Sequence, residues 1–160
     1  MISVVRSPVT QQKFVILDAP TKKTLPHYIA TLEKENVSDL VRICNRPSAE
    51  DPFGGRDSYD ADLLEHETGI RVIDDIKFQD GGVPSPGTIQ RWLELTEKAR
   101  ESGTTVAVHC VAGIGRAPVL VTLSFVEAGM DPLDAISYIR QHRRGALNKQ
   151  QIRFLDSYRR

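Results

Sequence analysis

Cysteine is almost missing from this chain. Cys44 and Cys110 are the two present in 160 residues, too few for a disulfide framework. No group of His and Cys has the spacing of zinc ligands, so neither a structural metal nor a cofactor is expected. No apolar run approaches the ~20 residues of a membrane span, and the opening Met1-Ile2-Ser3-Val4-Val5-Arg6-Ser7-Pro8 has no apolar core of signal-peptide length. Neither sign of charge prevails: Lys+Arg and Asp+Glu each number 21, for a formal net charge of zero. That balance gives no footing for general nucleic-acid binding. Repeats, linkers and low-complexity tracts are also lacking. These absences predict a reduced, cytoplasmic protein, and 160 residues with 40% apolar content suffice for one compact domain with a real core.

What is present is organised around Val106-Ala107-Val108-His109-Cys110-Val111-Ala112-Gly113-Ile114-Gly115-Arg116-Ala117-Pro118 and the apolar run after it. Val106 to Val108 reads as a short buried strand and the run after Arg116 as a helix, with two glycines in the turn between. A loop closing onto a helix N-terminus aims backbone N–H groups inward, and glycines let that backbone approach a phosphate closely. Val111, Ala112, Gly113, Ile114 and Gly115 are the candidate cradle. The amides, the helix dipole and a guanidinium would all favour the thiolate of Cys110. Arg116 sits where loop becomes helix and offers a planar fork to two phosphoryl oxygens, a geometry lysine cannot supply.

The remaining segments alternate. A β-rich run at Lys13 to Leu17 is followed by helical spacing of Leu25, Tyr28, Ile29 and Leu32, predicting a helix over 25–35. Asp39 to Cys44 reads as a second strand, and residues 45–60, with Pro47, Pro52, Gly54 and Gly55, as a long exposed loop. Leu63 and Leu64 predict a short helix ahead of Gly69, and Ile70 to Ile73 a third strand. Asp74 to Pro86 is a second loop before a helix bearing Ile89, Trp92, Leu93 and Thr96. Asp131-Pro132 opens a further helix that ends at Arg143-Arg144-Gly145. Asn148 and Gln151 form a capping-box pattern for the last one. Residues 1–12 read as polar and carry no predicted strand. Strands separated by helices give an α/β fold with a mostly parallel sheet flanked by helices.

Cleaving a phosphoester needs a proton for the leaving oxygen, hence a carboxylic acid on a loop that reaches the cradle. Asp80, in Phe78-Gln79-Asp80-Gly81-Gly82, is the candidate, with glycines that would let the loop close. Asp74 and Asp75 compete but have no glycine directly after them. His109 reads as a support that holds the cradle by hydrogen bonding. Cys44 ends a strand, and two readings stay open for it: a small buried apolar residue, or a thiol that traps an oxidised Cys110 as a disulfide.

The His-Cys-five-residues-Arg loop resembles that of the cysteine-based phosphatases. From Val106 to Arg159 the chain is similar to the phosphatases of regenerating liver, the PRL group or protein tyrosine phosphatase type IVA. The similarity rests on Val108 to Leu120, Arg143-Arg144-Gly145-Ala146-Leu147-Asn148 and Tyr158-Arg159. It extends more loosely through Val41-Arg42-Ile43-Cys44 and Phe78-Gln79-Asp80-Gly81. The resemblance implies one phosphatase domain over residues 1–160 of dual-specificity type, acting on phosphotyrosine. It implies Cys110 as nucleophile, Arg116 as phosphate ligand, Asp80 as acid and a reversible disulfide between Cys110 and Cys44. It also implies slow turnover, because Ala117 replaces the Ser or Thr whose hydroxyl stabilises the departing thiolate in most related phosphatases. A second implied role is a binding module for CBS-domain magnesium transporters, and Arg143 and Arg144 are candidates to meet an acidic partner. Ile76-Lys77 stands where the family has Trp-Pro. Members usually end in a basic stretch and a prenylated cysteine motif; membrane association here would need such a tail beyond residue 160.

Arsenate reduction and rhodanese-like sulfur transfer share a Cys and Arg loop. The upstream acid loop, the late position of the cradle and the lack of a resolving cysteine near Cys110 argue against both. With no lysine in the cradle, phosphoinositides rank below phosphoproteins as substrates.

Overall fold

The computed structural model describes residues 1–43, 59–111 and 114–158. In chain order these form β1 (Ile2–Arg6), β2 (Lys13–Asp18), α1 (Leu25–Lys34), β3 (Val37–Arg42), α2 (Ala61–Thr68) and β4 (Arg71–Ile73). Then follow α3 (Pro86–Ser102), β5 (Thr105–Cys110), α4 (Arg116–Glu127), α5 (Pro132–His142) and α6 (Lys149–Ser157). The sheet order is β1-β2-β5-β3-β4. β2, β5, β3 and β4 run parallel, and β1 joins antiparallel to β2. This is the mostly parallel α/β sheet that the alternation of segments predicts.

β5 is the central strand, and every one of its residues is buried. Side chains alternate across a strand, so Val106, Val108 and Cys110 join the core that packs α3, α4, α5 and α6, while Ala107 joins the core on the α1 and α2 side. Covered on both faces, β5 needs the continuous apolar run that marks it in the sequence. α4 is apolar almost all round, with Ala117 to Leu123, Phe125 and Val126 buried, the pattern of a helix enclosed by its neighbours. The strand therefore delivers Cys110 to the carboxyl edge of the sheet, and α4 begins there.

β1 departs from the expectation of an irregular start. Ile2 pairs with Leu17 and Arg6 with Lys13, and Val5 is fully buried while Val4 is exposed. Five residues with one buried face leave too little periodicity to read. The partners come from afar: Arg143 Nη1 donates to the Met1 carbonyl and the Ser3 hydroxyl, each at 3.0 Å, and the Tyr138 hydroxyl donates to the Arg6 carbonyl at 2.6 Å. This also corrects the reading of Arg143 as a partner-facing residue. It is 2% exposed and committed to β1, whereas Arg144 is exposed.

Most of the long loop read at 45–60 lies outside the described residues, as do Cys44, Ala112 and Gly113. Its last two residues are not free loop. Tyr59 is 5% exposed, and Asp60 caps α2 by accepting from the Asp62 and Leu63 amides.

Candidate active site

Cys110 is 3% exposed and lies in a cavity of about 440 Å³ lined also by Asp80, Gly81, Val111, Ile114, Gly115, Leu147, Asn148 and Gln151. Two hydrogen bonds fix the described ends of the candidate cradle. The Ala19 amide donates to the Val111 carbonyl at 3.0 Å and the Leu147 amide to the Ile114 carbonyl at 2.7 Å. Gly115 is the N-cap of α4, with no side-chain cap and no acidic residue in the first turn. The first amides of α4 and its positive dipole end are thus left to an anion. A larger depression of about 980 Å³ beside α3, lined by residues such as Gln12, Glu97 and Arg100, contains none of the candidate residues.

Arg116 opens α4 and is almost wholly enclosed. Its Nη1 donates to the Phe78 carbonyl at 3.5 Å, and its Nε lies 3.7 Å from Asp80 Oδ1, too far for a hydrogen bond. Nε is buried without a hydrogen-bond partner among the described residues, a costly state for a guanidinium nitrogen. Asp80, by contrast, has 87% of its side chain exposed. The structure therefore brings Cys110 and Asp80 to one cavity, and sets the Arg116 guanidinium beside Asp80 without making it part of the cavity lining. The two competing aspartates are engaged elsewhere: Asp74 takes both arms of Arg42, at 2.8 and 2.6 Å, and Asp75 pairs with Arg91 at 2.7 Å. The Arg42 hydrogen bonds hold the Asp74 carboxyl below its usual pKa. Ile76 is fully buried and Lys77 Nζ donates to the Arg42 carbonyl at 3.0 Å, so this pair anchors the loop that leads to Asp80.

His109 points away from the cavity. Tyr59 Oη lies 2.7 Å from its Nε2 and the Cys110 carbonyl 3.4 Å from its Nδ1. A carbonyl only accepts, so Nδ1 carries the proton and Nε2 accepts from the Tyr59 hydroxyl. Burial pushes the His109 pKa down to about 4, against the pull of the Cys110 carbonyl and with help from the Arg42 and Lys77 charges. The ring is neutral at ordinary pH.

Tyr59, Asn148 and Gln151 are the site residues that sequence reasoning missed in that capacity. Tyr59 had no signal, because it closes a stretch read as exposed loop. Asn148 and Gln151 were legible as a capping box, which α6 does contain. A cap employs only the amide oxygens, and their unassigned NH2 groups were the missed clue. Asn148 Nδ2 donates to the Gly81 carbonyl at 2.9 Å and Gln151 Nε2 to the Gly82 carbonyl at 3.0 Å.

A family model described as "Polymorphic toxin system, DSP-PTPase phosphatase" matches residues 16–130. The chain is 43% identical over 148 residues, 91% of its length, to probable protein tyrosine phosphatase type IVA A of Dictyostelium discoideum, covering 81% of that protein. The chain belongs to the protein tyrosine phosphatase type IVA family. A human member, type IVA 3, is 42% identical over 92% of this chain and 79% of its own. A solved structure from Leishmania major, assigned as a protein tyrosine phosphatase, superposes with a TM-score of 0.79 at 35% identity, covering 99% of both chains. The type IVA relatives thus match about nine tenths of this chain, and the cysteine-based phosphatase fold is common to them. Among the described residues no helix is long and apolar enough to cross a membrane, and no group of three His, Cys, Asp or Glu side chains is gathered that could hold a metal ion.

Proposed function

We propose that this type IVA chain hydrolyses phosphotyrosine in protein substrates through a phosphocysteine on Cys110. The observation that carries the reading is the meeting of Cys110 and Asp80 in one cavity at the head of α4, with the buried Arg116 guanidinium 3.7 Å from the Asp80 carboxylate. In the first step Cys110 Sγ attacks phosphorus and the bond to the tyrosyl oxygen breaks, with Asp80 giving its proton to that oxygen. Arg116 and the cradle amides of residues 111–115 hold the equatorial oxygens, where charge accumulates. In the second step water displaces the thiolate. Ala117, fully buried beside Arg116, offers that thiolate a methyl group and no hydroxyl, so phosphocysteine accumulates and turnover is slow.

The test is rapid mixing of reduced protein with a chromogenic aryl phosphate. A burst near one product per protein, followed by a slow steady rate and absent in Cys110→Ser, is the expected result. No burst and no turnover would overturn the reading. It would favour the second one, a cavity used to hold a loop of a CBS-domain magnesium transporter, for which Val111 and Ile114, 40% and 45% exposed, provide an apolar rim. Titration of a transporter-loop peptide against Ile114→Asp checks that alternative.

Redox control belongs to the same proposal. The Ile43 amide donates to the His109 carbonyl at 3.1 Å, so Ile43, the residue before Cys44 in sequence, lies alongside the end of β5. A peroxide-generated sulfenic acid on Cys110 would condense with the Cys44 thiol to a disulfide, releasing water. Both free thiols should disappear together on mild peroxide treatment and return with dithiothreitol. In Cys44→Ser, loss of activity should become irreversible.

A further inference from the structure

Asn148 and Gln151 each face the chain with both ends of a carboxamide. Asn148 Oδ1 accepts from the Gln151 amide at 2.8 Å, and Gln151 Oε1 accepts from the Asn148 amide at 3.0 Å. Backbone N–H groups can only donate and carbonyls only accept, so these contacts fix the orientation of both side chains. Their NH2 groups necessarily face the carbonyls of Gly81 and Gly82. Gln151 is fully buried, and its amide also lies 3.6 Å from where a Cβ on Gly115 would stand. It is therefore wedged between the cradle and the loop of Asp80. That loop is a tight turn, closed by the Gly82 amide on the Gln79 carbonyl at 3.0 Å, with Gly81 at φ +76°. With Arg116 on the Phe78 carbonyl, three of the five peptide carbonyls from 78 to 82 are held by side chains from the carboxyl half of the chain.

We propose that Asn148 and Gln151 are positioning residues for the general acid: the α6 cap holds the Asp80 loop closed over Cys110, and proton delivery depends on the two NH2 groups. The inference rests on the acid role proposed for Asp80. Among the described residues Asp80 makes only the long contact to Arg116, and it is largely exposed, so its placement comes from the loop backbone, and the loop backbone is placed by the cap. A carboxyl misplaced by an ångström transfers its proton poorly.

The test compares two esters under kcat/KM conditions: phenyl phosphate, whose leaving oxygen needs a proton, and 2,4-dinitrophenyl phosphate, whose does not. Asn148→Ser and Gln151→Glu keep good cap oxygens and remove the NH2 donors. The ratio of phenyl to dinitrophenyl activity should fall about 100-fold in Asp80→Ala and about 10-fold or more in each cap variant. The alkaline limb of the phenyl phosphate pH profile should weaken in parallel, and the Gly81 and Gly82 amides should exchange with deuterium faster. A structural role alone would lower both esters by one factor. Equal losses on the two esters, or wild-type ratios with unchanged exchange, while Asp80→Ala remains selective, overturn the tether and leave the acid assignment standing. An Asp80→Ala enzyme with no preference between the esters overturns the acid assignment and this inference together.

Discussion

Two side chains, Ala117 in the first turn of α4 and His109 in β5, show how single residues set the behaviour of the molecule. On the proposed mechanism, Ala117→Ser puts a hydroxyl in the first turn of α4 to serve the departing thiolate. The steady rate should rise about 10-fold or more while the burst rate changes little, since the hydroxyl serves only the second step; equal changes in both would refute this account. His109 sets an acid limit on stability. Its native pKa near 4 lies below the ordinary value of about 6.5. Between these values the unfolded chain binds the proton and the native one does not, so stability rises with pH across that window, by about 3 kcal/mol in all. Asp18 and Asp74 act lower. Burial pushes Asp18 up, but the N-terminal ammonium and the Tyr28 hydroxyl outweigh it, and the Arg42 bonds lower Asp74. Their contribution is present above the ordinary carboxylate value and is lost as pH falls below it. Urea titrations from pH 7 to 4 should show the His109 slope, and Tyr59→Phe should alter it by removing the Nε2 partner.

At the scale of elements, α3 and α4 are joined by Trp92, which is fully buried, stacks near Phe14 at 6.1 Å between ring centroids and donates its indole N–H to Ser124 Oγ at 2.8 Å. Trp92→Ala should cost about 3–5 kcal/mol in urea unfolding, and Trp92→Phe less, since it keeps most of the packing and loses the hydrogen bond. The helices and parallel strands were legible because each buries a stripe or face wide enough to impose a period. α6 was legible through its cap and α5 through Asp131-Pro132. β1 was not, since it is held by Arg143 and Tyr138, more than 130 residues away in sequence. Within the site, the Cys110 to Arg116 motif is local and could be read directly. The joining of Asn148 to Gly81 is a contact across 67 residues, and only the folded chain displays it.

Over the whole molecule, the carboxyl third of the chain closes on its start. Arg143 reaches Met1 and Ser3, and the Met1 ammonium meets Asp18 at 2.6 Å and the Tyr28 hydroxyl at 2.7 Å. Arg143→Met keeps the bulk but leaves the Met1 carbonyl and Ser3 hydroxyl without that donor. A loss of about 1–3 kcal/mol is expected in urea unfolding.

The two margins of the sheet share a consequence. On β1, backbone oxygens at Met1 and Arg6 are taken by Arg143 and Tyr138. On β4, only three residues long, the Val72 amide is taken by Glu65 Oε1 at 2.8 Å. An extended peptide therefore finds no vacant rung at these positions on which to dock as a sixth strand. Under the proposed function, a substrate meets the chain at the opening above Cys110 and has to present the tip of a side chain or a loop.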